Sequence, residues 1–459
     1  MYSTDLRGTI AKLNGRLQLL LPPLLCSQRS SWEQGILAQA LLECHLFFEA
    51  SATPTPDPLK SAPYGFISWL YALAHDTLVR QAPDGRLAVL LNGDGKSDAG
   101  ALDPACIGPT LYYLCAVERG HRGPGIDVAG LSSSFPTLRA PTSPSLPDGV
   151  ERMLRYILEA CPRSPVPQGS KSPDVNTGQD RPWDRHLLSH RIDAVEIWSD
   201  SVYMLPPFLV SAAAFYSREP SCLVPSTLTP DSTESSWRCT AYELLRMGLQ
   251  QVVLAGEVLQ APTGEWSHIF DLTAREFKRK AFWGVGNGWV CCGIVRILSI
   301  ALDLDLGRAF AEDERDQIIG PLRRVYDILL STFRACLTHM LPSYLFRDVL
   351  DDPASFVETN LSQMLSYTLY RLLDLHRYTP AFSAMGFTAP EDGELERWEE
   401  LAETMRRAAE AKTDEWGFVR DVCGSPRFDA PGTAAEGQAW AIMMEVARAQ
   451  YLSHRQTAA

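Results

Sequence analysis

The chain has 459 residues, of which 46% are hydrophobic and 21% are charged, and its formal net charge at pH 7 is −13. This is the composition of an ordinary globular protein. The acidic balance argues against nucleic acid or an anionic membrane as the main partner, because both are bound through basic surfaces.

The first apolar stretch, "LQLLLPPLLC" (residues 17–26), is the one candidate for the apolar part of a signal peptide. Pro22 and Pro23 interrupt it, and no small-residue cleavage site follows. The chain contains no run of about 18 apolar residues, so we expect no transmembrane helix. We therefore expect a cytoplasmic protein.

Most of the chain predicts amphipathic helices, because apolar residues recur at spacings of three and four. Some of these segments are apolar nearly all round, whereas others have a strongly charged face, and inner and outer helices differ in this way. Such helices in alternating order predict an all-α fold of paired hairpins closed into a ring, with no convincing strands. The segments are 32–48, 62–79, 108–120, 149–161, 200–217, 241–259, 286–302, 317–337, 357–375, 395–413 and 434–453.

Two stretches interrupt the helical pattern. Residues 120–149 and 162–184 are rich in Ser, Pro and Gly and show no apolar periodicity, so they predict mobile loops. Residues 224–236 predict a shorter loop of the same kind. Helical segments continue on both sides, so we interpret the first two as insertions in a single domain that covers residues 1–459.

The chain has 11 cysteines, an odd number, with no CxxC motif and no spaced His/Cys cluster. The pattern predicts buried, reduced thiols that pack as small hydrophobic side chains. It predicts no metal site, and we expect no cofactor.

"EIWSDSVYM" places Asp200 just before an apolar helix. One interpretation is a simple helix cap, which Asp often provides. The alternative is a general acid, because the neighbouring Trp198, Tyr203 and Phe208 would raise the pKa of the carboxyl and keep it protonated near neutral pH.

Other polar groups stand at similar places. His268 and Asp271 follow an aromatic residue in "TGEWSHIFDL", and Asp103 precedes the helix that begins at Gly108. Taken alone, each of these groups could be a helix cap or a buried histidine with no role in a site. Together they put carboxylates and aromatic residues at the starts of inner helices, which meet at one mouth of a ring. The carboxylates are Glu33, Asp103, Asp200, Glu358 and Glu436.

"FWGVGNGWVCCG" (residues 282–293) carries three glycines on alternate positions inside an apolar segment. Each glycine costs about 1 kcal/mol relative to alanine within a helix. The pattern therefore indicates a tight turn or a close approach of another group to the backbone. The residues alone leave both interpretations open.

Together these stretches resemble the unsaturated rhamnogalacturonyl hydrolases (glycoside hydrolase family 105) and the related unsaturated glucuronyl hydrolases. The resemblance runs from about Trp32 to the last helix. It implies an (α/α)6 barrel of six helical hairpins and hydration of the C4=C5 double bond of an unsaturated uronyl sugar, so that the partner is a small-molecule or oligosaccharide substrate. The matching stretches, in the family's order, are "WEQG", "DPACIGP", "CPRSP" with "HLLSHR", "EIWSDSVYM", "GEWSHIFD", "FWGVGNGW", "LFRDVLDDPASFVETN" and "EGQAW".

The resemblance also implies roles for single residues. The family's acid falls on Asp200, and its second carboxylate falls on Asp103, with Asp98 as a competitor because the local spacing is loose. The family's arginine in "W-x-R-G-x-G-W" is replaced by Val285, which cannot pair with a carboxylate. The implied substrate-binding residues are Trp32, His190, Trp198, His268, Trp283 and Trp289. The resemblance further implies that the glycines of this stretch let the backbone pass close under the ligand, with the tryptophans as flat walls.

Two further interpretations stay open. In the first, the same fold performs acid-catalysed chemistry in small-molecule biosynthesis on a less polar ligand, which Val285 and the apolar "YMLPPF" stretch favour. In the second, the barrel only binds a ligand, which the presence of Asp103, Asp200 and both histidines argues against. A fold alone does not decide between these functions.

Overall fold

The structure, a computed structural model, describes residues 6–51, 65–89, 98–120, 145–166, 185–218, 239–304, 306–388, 390–424 and 427–458. Long helices dominate this part of the chain, which confirms the all-α prediction. We number twelve of them in chain order. They are α1 (Leu6–Ser27), α2 (Ser31–Ser51), α3 (Phe66–Val79), α4 (Gly108–Glu118), α5 (Leu146–Arg155), α6 (Pro206–Tyr216), α7 (Ala241–Leu259), α8 (Gly284–Leu302), α9 (Glu312–Leu337), α10 (Asn360–Tyr378), α11 (Glu394–Glu410) and α12 (Ala435–Thr457).

The even-numbered helices form a closed inner ring. Helix α2 packs on α4, α4 on α6, α6 on α8, α8 on α10, α10 on α12, and α12 packs back on α2. The odd-numbered helices lie outside, each against a member of the inner ring. The fold is therefore an (α/α)6 barrel of six helical hairpins, as the sequence predicted.

Burial explains the two kinds of helix pattern. Nearly every residue of α8 is buried, because an inner helix has neighbours on both sides and on the barrel axis. Helix α11 buries one stripe and leaves charged residues in solvent. Among the described helices, α8 alone has the length and apolar composition to cross a membrane, and most of it is enclosed by the rest of the barrel.

Helix α1 was not predicted. Its sequence contains Pro22 and Pro23, which we interpreted as a break in an apolar stretch. In the structure, Leu17, Leu20 and Leu24 are fully buried at helical spacing, and α1 packs on α12. The burial of this apolar stripe outweighs the helix-breaking tendency of proline.

Short strands were also missed. Four small antiparallel sheets lie in the segments that lead into inner helices. Strands this short are too brief for an alternating pattern to show in the sequence. They are β1 (Arg163–Pro165), β2 (His186–Leu188), β3 (Glu196–Trp198), β4 (Ile269–Asp271), β5 (Glu276–Arg279), β6 (Phe346–Arg347), β7 (Val357–Glu358), β8 (Val422–Gly424) and β9 (Arg427–Gly432).

The predicted insertions fall mainly on residues 121–144 and 167–184, which lie outside the described residues, as does the whole of the third predicted loop. Their predicted limits were too wide: α5 begins at Leu146, and β1 begins at Arg163. That the chain forms one domain stays a prediction.

The cysteines agree with the predicted role as small hydrophobic side chains. Nine of those in the described residues are buried, including the adjacent Cys291 and Cys292. No disulfide joins two of the described cysteines.

Candidate active site

The residues picked out at the starts of inner helices converge at one end of the barrel, which we call the mouth. The three-stranded sheet β3–β4–β5 links the segment before α6 to the segment before α8. In this sheet Trp198 pairs with Ile269, the residue after His268. Ser199 N–H donates to the His268 carbonyl at 3.0 Å, so Asp200 and His268 are brought together by backbone pairing.

Asp103 and His190 form the first polar pair at the mouth. His190 Nε2 lies 3.1 Å from Asp103 Oδ1, and its Nδ1 lies 3.0 Å from Ser201 Oγ. The imidazole is buried and stacks on Trp198, with ring centroids 4.6 Å apart and planes 13° apart. Burial lowers the pKa of His190, but the charge and hydrogen bond of Asp103, with the charges of Asp200 and Asp98, outweigh it and raise the pKa.

Asp200 and His268 form the second pair. Asp200 Oδ2 accepts a hydrogen bond from Ser199 Oγ at 3.1 Å and lies 3.4 Å from His268 Nε2. The Asp200 side chain makes no capping hydrogen bond to the helix that follows it, so the capping interpretation is wrong. The His268 Nε2 atom has no other polar partner among the described residues.

Arg279 fixes the orientation and tautomer of His268. Its Nη1 lies 2.9 Å from His268 Nδ1. Because a guanidinium can only donate, Nδ1 must accept, and a neutral His268 therefore carries its proton on Nε2. That proton faces Asp200.

The expected pKa shift of Asp200 was wrong in direction. Burial does raise the pKa of this carboxyl, as predicted. The hydrogen bond and charge of His268, together with the charge of His190, lower the pKa by more than burial raises it. The net pKa of Asp200 lies below its ordinary value, so this carboxyl is ionised at neutral pH. The sequence showed the apolar neighbours and not the two histidines.

Beside Asp103, the carboxyl with a raised pKa is Asp98 and not Asp200. Burial and the charge of Asp103 raise the pKa of Asp98. The two side chains converge above Gly100, where an added Cβ would lie 2.8 Å from Asp103 Oδ2 and 3.2 Å from Asp98 Oδ2. Asp103 reaches His190, whereas Asp98 accepts hydrogen bonds from Gly100 N and Ser31 Oγ, at 3.3 and 3.5 Å.

Two of the four predicted tryptophans wall the site. His268 lies between Trp198 and Trp283, with ring centroids 5.5 and 4.5 Å away. The indole N–H of Trp198 donates to Glu196 Oε2 at 2.8 Å, and that of Trp283 donates to Asp348 Oδ1 at 2.9 Å. Both rings are thus fixed before any ligand arrives.

Trp289 and Val285 are both buried, and Trp289 has its ring contacts with core residues. Trp289 is 3% exposed and packs on Tyr203 and Trp440, with ring centroids 4.8 and 5.5 Å away. Val285 is 1% exposed and belongs to the hydrophobic core. Trp32 is half-buried in the first turn of α2, beside Ser31, and packs against the hydrophobic core.

The glycines of α8 make room for protein groups, which corrects the expectation of a ligand below them. A Cβ added to Gly286 would lie 2.4 Å from Ser199 Oγ and 2.9 Å from Trp283 Cε3. One on Gly288 would lie 2.5 Å from Met364 Sδ, and one on Gly284 would lie 3.1 Å from the Arg347 carbonyl oxygen. Gly286 therefore lets Ser199 reach Asp200.

We expect Gly286→Ala to destabilise the fold by about 1–3 kcal/mol, the usual cost of overpacking. It should also lower activity, because the new methyl group displaces Ser199 from Asp200. Gly15→Ala is the matched control, since Gly15 lies on an outer helix with no atom within 4 Å of the added Cβ. That change should stabilise the protein by about 0.5–1 kcal/mol. Chemical denaturation of both variants checks the contrast, and equal effects would contradict it.

Buried carboxyls line the other half of the mouth. Glu358 accepts hydrogen bonds from the backbone N–H groups of Asn360 and Leu361 at 2.7 and 2.9 Å, yet burial raises its pKa to about 8. Burial also raises the pKa of Glu436, and Glu436 Oε2 has no hydrogen-bond partner. Glu33 instead pairs with Arg29. Within the described residues no three metal-ligating side chains converge.

The sequence analysis missed Ser199, Ser201 and Glu196 and left the position of Arg279 open. Each is adjacent to a predicted residue or lies on the same short sheet. Alternation along β5 puts Phe277 and Arg279 on one face, a signal too short to read in the sequence.

No family model and no curated protein matches this chain. Solved structures do. One is a possible member of glycoside hydrolase family 105 from Klebsiella pneumoniae, with 14% identity, coverage of 96% of this chain and 93% of that one, and a TM-score of 0.59. An unsaturated glucuronyl hydrolase from Streptococcus agalactiae has 10% identity, coverage of 96% and 91%, and a TM-score of 0.55.

A third similar structure is an unsaturated glucuronyl hydrolase from a Bacillus species, described as responsible for the degradation of glycosaminoglycan. Its identity is 13%, each chain covers 96% of the other, and the TM-score is 0.51. The barrel of this protein is thus the fold of the unsaturated glycuronyl hydrolases. The resemblance seen in the sequence is confirmed at the level of the fold.

Proposed function

We propose that this protein is a hydrolase that hydrates the C4=C5 double bond of an unsaturated uronyl sugar and so releases the neighbouring sugar. The observation that carries the proposal is the pairing of two carboxylates with two histidines around one tryptophan: Asp103 with His190, and Asp200 with His268, about Trp198. The similar structures named as unsaturated glucuronyl hydrolases support the same reaction.

The reaction needs two proton transfers. An acid gives a proton to C4, water adds at C5, and a base takes one proton of that water. The hemiketal at C5 then opens to a ketone and leaves a hemiacetal at C1. This hemiacetal collapses to an aldehyde, and the neighbouring sugar leaves with the hydroxyl proton on its oxygen. Paired carboxyl groups with different proton affinities suit these two tasks.

The charge states divide the two tasks between the pairs. Asp200, with its lowered pKa, starts the cycle ionised and accepts the proton from water. The opposite side holds the proton, since the pKa values of His190 and Asp98 are both raised there. Asp103 lies between them and orients the acid. An anionic substrate would raise the pKa of Asp200 on binding and so help it to accept this proton, which Asp200 releases when the product leaves and its pKa falls again.

The two sequence features that favoured a less polar ligand no longer do so. Val285 and the side chains of "YMLPPF" belong to the hydrophobic core, with Tyr203, Met204 and Phe208 all buried. With these side chains packed in the core, neither feature adds support for an apolar ligand.

The test is turnover of a purified unsaturated disaccharide by the native protein, followed as the loss of the ultraviolet absorbance of the double bond. We expect enzymatic turnover, with a saturated disaccharide of the same composition left intact. The absence of turnover across unsaturated glucuronyl and galacturonyl disaccharides would overturn the proposal.

A further inference from the structure

Arg279 is a half-buried cation at the mouth that forms no ion pair with any carboxylate of the described residues. It makes one side-chain hydrogen bond, to His268 Nδ1, and its guanidinium carbon lies 5.6 Å from the ring centroid of Trp283. A guanidinium has five N–H donors, so most of them have no acceptor in the described part of the chain. The neighbouring Lys278, by contrast, is paired with Glu196.

A partly buried guanidinium without a counter-ion destabilises the folded protein unless an anion binds to it. Partial burial removes some of its hydration, and no carboxylate compensates for that loss. The charge of Arg279 acts on Asp348, which is held by Trp283 and not by an ion pair with Arg279. The remaining donors of Arg279 are therefore available to a ligand.

The charge around the site also calls for a cation. The protein has a net charge of −13, and Asp98, Asp103 and Asp200 all face the mouth. An anionic ligand would be repelled by this surface without a local positive group. Arg279 supplies that group and lies beside the aromatic ring of Trp283.

We propose that Arg279 binds the carboxylate of the substrate through its free N–H groups, and that it takes over the anion contact which the Val285 position cannot make. The ligand class is a sugar acid whose ring lies against Trp283 and Trp198. This inference rests on the proposed function and names the residue that selects for the acid. It also couples binding to chemistry, because the same guanidinium fixes the His268 tautomer that faces Asp200.

The experiment compares an unsaturated disaccharide as the free acid and as its methyl ester. For the native protein we expect a higher kcat/KM with the acid. Arg279→Gln keeps a donor for His268 and removes the charge, so it should lower kcat/KM for the acid by about 10- to 100-fold, mainly through KM. The ester should be affected little, and Arg279→Lys should recover part of the acid preference.

Lys280→Gln is the matched control. Lys280 is the next residue, is exposed, and has its ammonium 5.8 Å from the ring centroid of Phe277. Removing its charge should leave the ratio of kcat/KM for the acid to kcat/KM for the ester unchanged. If the role of Arg279 is purely structural, Arg279→Gln should lower kcat/KM for the acid and for the ester together. An unchanged ratio of the two kcat/KM values in this variant would overturn the inference.

A binding measurement separates this inference from the proposed function. Titration calorimetry with D-glucuronic acid and with its methyl ester requires no turnover. We expect the native protein to bind the acid more tightly, and Arg279→Gln to lose that difference. Equal binding of acid and ester by the native protein would reject the role of Arg279 even if the disaccharide is hydrolysed. If Arg279→Gln binds acid and ester equally while the native protein prefers the acid, the role of Arg279 is supported even if the disaccharide is not hydrolysed.

Discussion

Asp200→Asn is expected to lower turnover of an unsaturated disaccharide by about 10²–10⁴-fold, the usual contribution of a general acid or base. Asparagine keeps the shape of the side chain and can still accept the hydrogen bond from Ser199 Oγ. It cannot take or return the proton, whichever transfer Asp200 performs. The rate is measured by the loss of ultraviolet absorbance, and circular dichroism checks that the fold is retained.

Asp193→Asn provides the control for this prediction. Asp193 lies in the same segment of the chain, and its side chain is exposed and paired with Arg191. The loss of this surface pair should change neither activity nor stability noticeably. Full activity in Asp200→Asn, or an equal loss in both variants, would remove Asp200 from the proton transfer.

Glu43→Ala is expected to cause the largest loss of stability, about 3–5 kcal/mol. Glu43, on α2, accepts hydrogen bonds from Arg296 of α8 at 2.6 Å and from Arg371 and Tyr367 of α10 at 2.7 and 2.8 Å. These charges lower the pKa of the carboxyl against the effect of burial. Without it, the buried Arg296 has no counter-charge, and three inner helices lose their shared contact.

The control is Glu49→Ala on the same helix, where the side chain is 57% exposed and its neighbour His45 is 4.0 Å away. It should change stability by less than about 0.5 kcal/mol. Glu43→Gln keeps the shape and removes the charge, so it should give an intermediate loss and a folded protein. Denaturation midpoints of the three variants decide the matter, and similar values for Glu43→Ala and Glu49→Ala would contradict the prediction.

Asp200 and Glu43 differ in how clearly the sequence marks them as important. Asp200 stands in a recognisable motif before an apolar helix, and the sequence analysis placed it at the mouth with Asp103, His190 and His268. Glu43 is one carboxylate within a long amphipathic segment, and no local pattern separates it from exposed Glu49. Its importance comes from Arg296 and Arg371, which only folding brings to it.

The sequence by itself determined the alternation of inner and outer helices and the set of polar groups at the start of the inner ones. Helical periodicity is a local property, because each residue's face is set by neighbours three and four positions away. Pro22 and Pro23 hid α1 for the same reason, since a local rule opposed a helix that is stabilised by its contact with α12.

Only the tertiary structure decided the charge state of Asp200, the burial of Trp289 and Val285, and the position of Arg279. A pKa depends on charges and hydrogen bonds from other segments, and His268 reverses the shift that the apolar neighbours of Asp200 predict. The glycines of α8 follow the same logic. Their pattern indicated a close approach, but that the approaching group is Ser199 follows from how β3 pairs with β4, and pairing between distant segments is what the tertiary fold sets.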